Sequence, residues 1–180
     1  MRLFIAINFN EYTKNQLIVL QDELQANAKR GSFTLSENIH LTLLFLGECN
    51  DRQLAAIKTA MDTLIFEPFD FSVENIGYFK RDGGNIWWAG VRECKPLLEL
   101  QRSLSERLTT AGFSLEKRKY SPHITLGRRV ITDLHPWNIA PFSEAVTRIE
   151  LMKSERLQGK LTYTSIYAKG ATDDINAQRD

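Results

Sequence analysis

The sequence predicts an α+β protein with mixed or antiparallel sheets arranged as two similar lobes. Three observations lead there. Apolar, β-prone runs are separated by amphipathic helical stretches, as in parallel α/β units, but a Gly-rich segment joins two of the runs as a hairpin and points away from an all-parallel sheet. A short pattern, His-x-Thr-Leu, also occurs twice, as His40-Leu41-Thr42-Leu43 and His123-Ile124-Thr125-Leu126. The copies lie 83 positions apart (from 40 to 123) in a chain of 180 residues, and each follows an amphipathic helix. Two lobes facing one another across a groove would produce that echo.

The elements follow in chain order. Leu3 to Phe9 is an apolar run that reads as a strand. Asn10 offers an N-cap for a helix carrying Leu17, Leu20 and Leu24 at spacings of three and four. Residues 39 to 47 form a second strand, which holds the first pattern. Asn50 or Asp51 caps a helix whose Leu54, Ile57, Met61 and Leu64 make one stripe, with Pro68 as its stop. Phe69 to Phe79 and Ile86 to Val91 read as strands joined by the turn Arg81-Asp82-Gly83-Gly84-Asn85. A third helix follows Pro96, lined by Leu97, Leu100, Leu104, Leu108 and Ala111 and stopped by Gly112. The second pattern lies in a strand from Pro122 to about Ile131. Residues 133 to 141 contain two prolines and read as loop, and Ala145 to Met152 and Leu161 to Ala168 complete the strands. Ala171 to Asp180 reads as a polar tail.

Composition narrows the function classes. An apolar fraction of 43% supports a real core, while 23 basic and 22 acidic residues leave a net charge of +1. No global field draws the chain to nucleic acid or to a membrane, so any such signal must be local. Only Cys49 and Cys94 are present, without CxxC spacing. That pattern fits structural thiols in a reducing compartment rather than a disulfide framework. The apolar start is too short for a signal sequence and nothing later approaches a membrane span, so the expected location is cytoplasmic.

The repeated pattern carries the chemistry. In a strand, successive side chains alternate between faces, so each His shares a face with its Thr while the apolar partners face away. An imidazole moves protons near neutral pH, and a hydroxyl donates hydrogen bonds to an anion. Two such pairs across a cleft supply an acid, a base and an anion cradle. A metal site is disfavoured by the residues themselves: the pattern offers one ligand per strand, and no His-x-His or HExxH spacing occurs. No metal and no cofactor is expected. His135, before Pro136 in a loop, reads as a bystander.

Four segments together resemble the 2H phosphoesterase superfamily: Arg2-Leu3-Phe4-Ile5-Ala6-Ile7, Asn38 to Glu48 around the first pattern, Trp87-Trp88-Ala89-Gly90-Val91, and Ser121 to Arg128 around the second. Within it the chain is most similar to bacterial and archaeal RNA 2′,3′-cyclic phosphodiesterases, long called 2′-5′ RNA ligases. The resemblance implies a bilobal 2H phosphoesterase domain over residues 1–170, with 171–180 as the tail. It implies sheets around a central groove, helices outside, and metal-independent hydrolysis of RNA or nucleotide 2′,3′-cyclic phosphate to a 2′-phosphomonoester.

By position, the resemblance makes His40 the proton donor to the leaving 3′ oxygen and His123 the proton acceptor from water. Thr42, Thr125 and Arg128 become the phosphate-binding residues. Strand alternation from His123, however, puts Arg129 rather than Arg128 on the catalytic face. Either the strand bends there or Arg129 makes the contact, and Arg128 is ranked first.

Lys117-Arg118-Lys119 and Arg128-Arg129 flank the second pattern and can steer an RNA backbone. Phe45, Tyr78, Phe79, Trp87, Trp88 and Tyr120 are aromatic candidates for stacking on a base, although alternation turns Trp87 and Trp88 to opposite faces. The expected partners are RNA ends or small nucleotides bearing the cyclic phosphate, with no obligate protein partner and a monomeric chain. The alternatives are a sister activity on another cyclic phosphoester or on 2′-5′ linked oligonucleotides, or a non-catalytic RNA- or nucleotide-binding module.

Overall fold

Strand β1 (Arg2–Asn8) is apolar on both faces because both are covered. Leu3, Ile5 and Ile7 face one side and Phe4 and Ala6 the other, all nearly inaccessible to solvent. A computed structural model, which describes residues 1–172, places β1 inside a four-stranded sheet. It lies between β3 (His40–Glu48) and β8 (Arg148–Leu157), with β9 (Lys160–Gly170) beyond β8. The second sheet runs in the order β2 (Ala28–Phe33), β6 (His123–Thr132), β5 (Asn85–Val91), β4 (Phe69–Phe79), β7 (Trp137–Val146). Every ladder is antiparallel, which resolves the mixed-or-antiparallel expectation.

The two sheets correspond strand for strand. Each contains a run of four that begins with a His-x-Thr-Leu strand, β3-β1-β8-β9 in one and β6-β5-β4-β7 in the other, and β2 is added on the free side of β6. The pattern strands β3 and β6 adjoin each other where the sheets meet. Their apolar alternates Leu41, Leu43, Ile124 and Leu126 are buried in one shared core.

Three helices close that core. The helix α1 (Glu11–Ala26) is capped by Asn10, whose side chain accepts from the Thr13 N–H at 2.8 Å. At α2 (Asp51–Asp62) the Asn50 and Gln53 side chains cap each other's backbone N–H, a reciprocal capping box. The third, α3 (Lys95–Thr110), takes Pro96 in its first turn, where the missing N–H costs nothing, and stops just before Gly112. Ile57, Met61, Leu97, Leu100, Leu104 and Leu108 from α2 and α3 join the pattern-strand leucines in the core. Full burial of each such side chain is worth about 1.5–3 kcal/mol.

Four expectations need correction. The second helix ends at Asp62, six residues before Pro68, so Pro68 does not stop it. Strand β2 carries no strand signal in sequence, because Ala-Lys-Arg-Gly-Ser-Phe is polar and its residues are exposed or half-buried at a sheet edge. Loop was expected through 141, yet β7 begins at Trp137 and runs through Pro141. An edge strand tolerates a proline, and here the register against β4 also slips, so that Val73 to Asn75 oppose Phe142 to Asn138. The run 145–152 is not one strand: β7 ends at Val146 and β8 begins at Arg148. Of the expected tail, residues 173–180 lie outside the described residues. No described helix is long and apolar enough to cross a membrane.

Gln21 shows how α1 is fixed to the pattern strand. It is a buried polar side chain of the helix, and its amide donates to the carbonyls of Thr34 and Leu126, both at 2.8 Å. Gln21→Leu removes both bonds and leaves the Thr34 carbonyl facing an apolar side chain, while the Leu126 carbonyl keeps the Thr34 N–H at 2.9 Å. A loss of about 2–4 kcal/mol in urea unfolding is expected, with the fold retained.

Candidate active site

Each pattern begins with a histidine pinned by its own backbone. His40 opens β3 just after a 3-10 turn, Ser36–Asn38, and its Nδ1 lies 2.7 Å from the Asn38 carbonyl. His123 opens β6, and its Nδ1 lies 2.7 Å from the Ser121 carbonyl. A carbonyl only accepts, so Nδ1 carries a hydrogen in both rings and Nε2 is the nitrogen free to exchange a proton. The equivalence breaks at Nε2. In His40 it lies 2.8 Å from the Thr42 hydroxyl, whereas His123 Nε2 has no hydrogen-bond partner among the described residues.

Both pattern strands bend at the same place. Against β1, Ile5 and Ala6 oppose Leu44 and Thr42, so Leu43 is an extra residue in β3. Against β5, Trp87 and Trp88 oppose Gly127 and Thr125, so Leu126 is the extra residue in β6. Each β-bulge shifts the alternation by one. The consequence is a pair of consecutive buried residues, Leu43-Leu44 and Leu126-Gly127, followed by exposed Phe45 and Arg128. The strand therefore bends, and Arg128 comes to the face of His123 and Thr125. Arg129 is extra in a second slip, between the pairs Trp87–Gly127 and Asn85–Val130, and adopts a left-handed backbone with φ 54°. Gly127 inside a strand was the legible sign of a bulge.

Aromatic rings flank both imidazoles. The Phe4 ring lies 4.9 Å from the His40 ring and the Tyr163 ring 5.3 Å from it, centroid to centroid. Phe79 stands edge-on to His123 at 4.9 Å, with Trp88 at 6.5 Å. Trp88 has room because residue 77 is glycine, where a methyl group would collide with the indole.

The other stacking candidates divide. Phe45 is exposed and sits where the second lobe has Arg128. Trp87 is buried on the opposite face against Tyr78 and Trp137, which removes it and Tyr78 from the face of His123 and Thr125. Tyr120 is not a stacking platform either. Its hydroxyl donates to the Thr42 carbonyl at 2.8 Å, tying the segment before the second pattern to the strand of the first, and burial pushes its phenol pKa up. Sequence gives no local sign that Phe4, from the paired strand β1, or Tyr163, from β9, flanks His40.

Burial is the main influence that lowers the pKa of both imidazoles below 6.5. The Asn38 and Ser121 carbonyls oppose it, and the positive charge of Arg128 lowers both further. Arg118 also lowers His123, even though Arg118 pairs with Glu116 at 3.0 Å. Arg128 thus acts electrically on both halves of the site. His135 is exposed beyond the far end of β6 and takes no part. Among the described residues, no three His, Cys, Asp or Glu side chains gather as a metal-ligand group.

The model of the LigT-like phosphoesterase family matches residues 7–88 and 90–163, two stretches with one His-x-Thr-Leu copy each. The chain belongs to that family. It is 34% identical to the RNA 2′,3′-cyclic phosphodiesterase of Thermotoga maritima over 86% of this chain and 87% of the relative. It is 30% identical to the enzyme of the same name from Methanothermobacter thermautotrophicus over 92% and 96%. Among solved structures, Escherichia coli LigT complexed with 3′-AMP superposes with a TM-score of 0.80 at 26% identity, covering 96% of this chain and 98% of that one. The bilobal 2H phosphoesterase fold expected for this family is the fold observed.

Because Arg128 lowers both imidazole pKa values, Arg128→Gln is expected to raise both titration midpoints together. An NMR titration of the imidazole protons measures this. Movement of only one ring would place Arg128 beside that ring rather than between the two.

Proposed function

We propose that this LigT-like phosphoesterase hydrolyses the 2′,3′-cyclic phosphate of RNA ends or small nucleotides to a 2′-phosphomonoester. The observation that carries the proposal is the pairing of two backbone-tethered imidazoles, each beside a groove-facing threonine, with Arg128 acting on both. The names of the relatives from Thermotoga maritima and Methanothermobacter thermautotrophicus support the same substrate. In this scheme residues 1–170 act as one bilobal domain, as a monomer in the cytoplasm, without metal or cofactor.

The steps follow from the tethers. His123 Nε2, unoccupied and neutral, takes a proton from water as the water oxygen bonds to phosphorus. The bond from phosphorus to O3′ breaks, and protonated His40 delivers its Nε2 proton to O3′. The products are a 2′-phosphomonoester and a free 3′ hydroxyl, and the two imidazoles have exchanged protonation states. The Thr42 and Thr125 hydroxyls and the Arg128 guanidinium hold the non-bridging oxygens, where charge accumulates in the transition state. Thr42 does so by giving up its bond to His40, which frees the acid as substrate enters.

His40→Ala and His123→Ala are each expected to lower kcat on a 2′,3′-cyclic mononucleotide by about 10²–10⁴ with the fold intact by circular dichroism. The wild-type product should be the 2′ monophosphate by chromatography. Near-wild-type turnover in either variant, or nucleotide binding without turnover in the wild type, would overturn the proposal.

The pH profile tests the pair independently. The active form carries one proton on the two imidazoles, so it is present between their two apparent pKa values. Both are held below 6.5 in the free protein. Below the lower one the base is protonated, and above the higher one the acid is lost. A bell-shaped kcat/KM profile with its maximum below pH 6.5 is expected from steady-state rates at low substrate.

A further inference from the structure

We propose that Arg30, Lys80, Arg81 and Arg129 form a cationic track that continues the groove outward from Arg128 and binds the backbone phosphates of a single-stranded RNA attached to the cyclic end. The proposal rests on the assignment of the groove to a cyclic phosphate and extends it to the body of the substrate. The four cations come from three elements: Arg30 from β2, Lys80 and Arg81 from the β4–β5 turn, and Arg129 from the bulge in β6. In sequence only Arg129 lies beside a pattern; folding collects the others.

The track is held together by contacts of its own. Arg30 reaches from β2 to the turn, where its Nη2 donates to the Gly83 carbonyl at 3.0 Å. Gly84 in the same turn lies flush on the bulge, where a Cβ would fall 2.5 Å from the Arg129 carbonyl carbon. Arg81 spreads its guanidinium 5.9 Å over the Phe79 ring, and that ring contacts His123. Arg81 thus joins His123 through Phe79, while Arg128 and Arg129 follow His123 along β6 and Arg30 pairs opposite Ile131 on the neighbouring strand.

Among the described residues, none of the four cations forms an ion pair. Neighbouring Lys29, by contrast, is neutralised by Asp133 at 2.8 Å, and Arg118, on the other flank of the second pattern, by Glu116. Asp82, the carboxylate of the turn, makes no ion pair with them. The left-handed backbone of Arg129 costs about 1 kcal/mol, and it is kept at the point where the cations converge. Unpaired cations around the half-buried Phe79 ring are a surface that follows a single strand, with charge for phosphates and a ring for a base. Continuity with the phosphate site selects RNA as the occupant over an acidic protein.

The test measures binding apart from chemistry. A fluorescent decaribonucleotide with a 3′ hydroxyl, which is not a substrate, is titrated with the full chain by anisotropy between 50 and 200 mM salt. Each neutralised phosphate contributes about −0.7 to the slope of log affinity against log salt, so three or more contacts require a slope of about −2 or steeper. The Arg30→Gln/Arg81→Gln double variant should bind at least tenfold more weakly with a shallower slope, whereas Arg102→Gln on α3 should match wild type. A wild-type slope shallower than about −1, or unchanged binding by the double variant, overturns the track. Hydrolysis of a 2′,3′-cyclic mononucleotide is read in parallel. Its absence beside steep, variant-sensitive RNA binding defeats the catalytic assignment alone, and its presence beside weak, salt-insensitive binding defeats the track alone.

Discussion

The placing of both histidines and both threonines depends on alternation along the first four residues of two adjoining strands, up to the bulge that ends it in each. In β3 and in β6 one face must satisfy a shared apolar core and the other must carry imidazole and hydroxyl. Leu41, Leu43, Ile124 and Leu126 are at most 2% exposed, so a slip of one residue in either strand would drive His and Thr into the core and turn leucines into the groove. Burying unpaired polar groups costs several kcal/mol in addition to the lost apolar burial. The register that makes the protein fold is therefore the register that assembles the site.

The same burial sets the electrical state of the site. Two imidazoles partly withdrawn from water, with a guanidinium acting on both, resist protonation. In the proposed reaction a phosphodiester anion between the rings would offset Arg128 and favour a proton on one imidazole, so that substrate binding promotes the singly protonated state the scheme uses. Pinning both Nδ1 atoms to carbonyls also fixes which nitrogen titrates, so no ring flip is needed before chemistry.

Much of this was legible in the chain because the relevant signals are local. Asn10 and Asn50 as caps, the leucine stripe of α3, the Gly-Gly turn and the facing of His with Thr all follow from the chemistry of neighbouring residues. What escaped depends on tertiary context. Strand β2 has no apolar face of its own and exists because β6 has a free edge to cover. Pro141 reads as a breaker unless its strand is known to lie at a sheet edge. Tyr120 reads as an aromatic for stacking until its hydroxyl is seen on the Thr42 carbonyl, 78 residues away in sequence. Which of Arg128 and Arg129 shares the face of His123 depends on a bulge, for which Gly127 is a local sign.

The correspondence of the lobes extends further than the four-residue pattern, and this gives the remaining asymmetry its meaning. The Nδ1 tethers match, the bulges fall on the fourth pattern residue in both strands, and both imidazoles border aromatic rings. A symmetric pair of histidines has no reason to divide acid from base. In the proposed mechanism the division comes from features the lobes do not share: Phe45 stands in one lobe where Arg128 stands in the other, and Thr42 occupies His40 Nε2 while His123 Nε2 has no partner among the described residues. Only the second lobe continues into β2, the strand that brings Arg30 to the edge of β6. A repeated scaffold thus presents two similarly tethered imidazoles, and in the proposed mechanism a few unmatched residues give the reaction its direction.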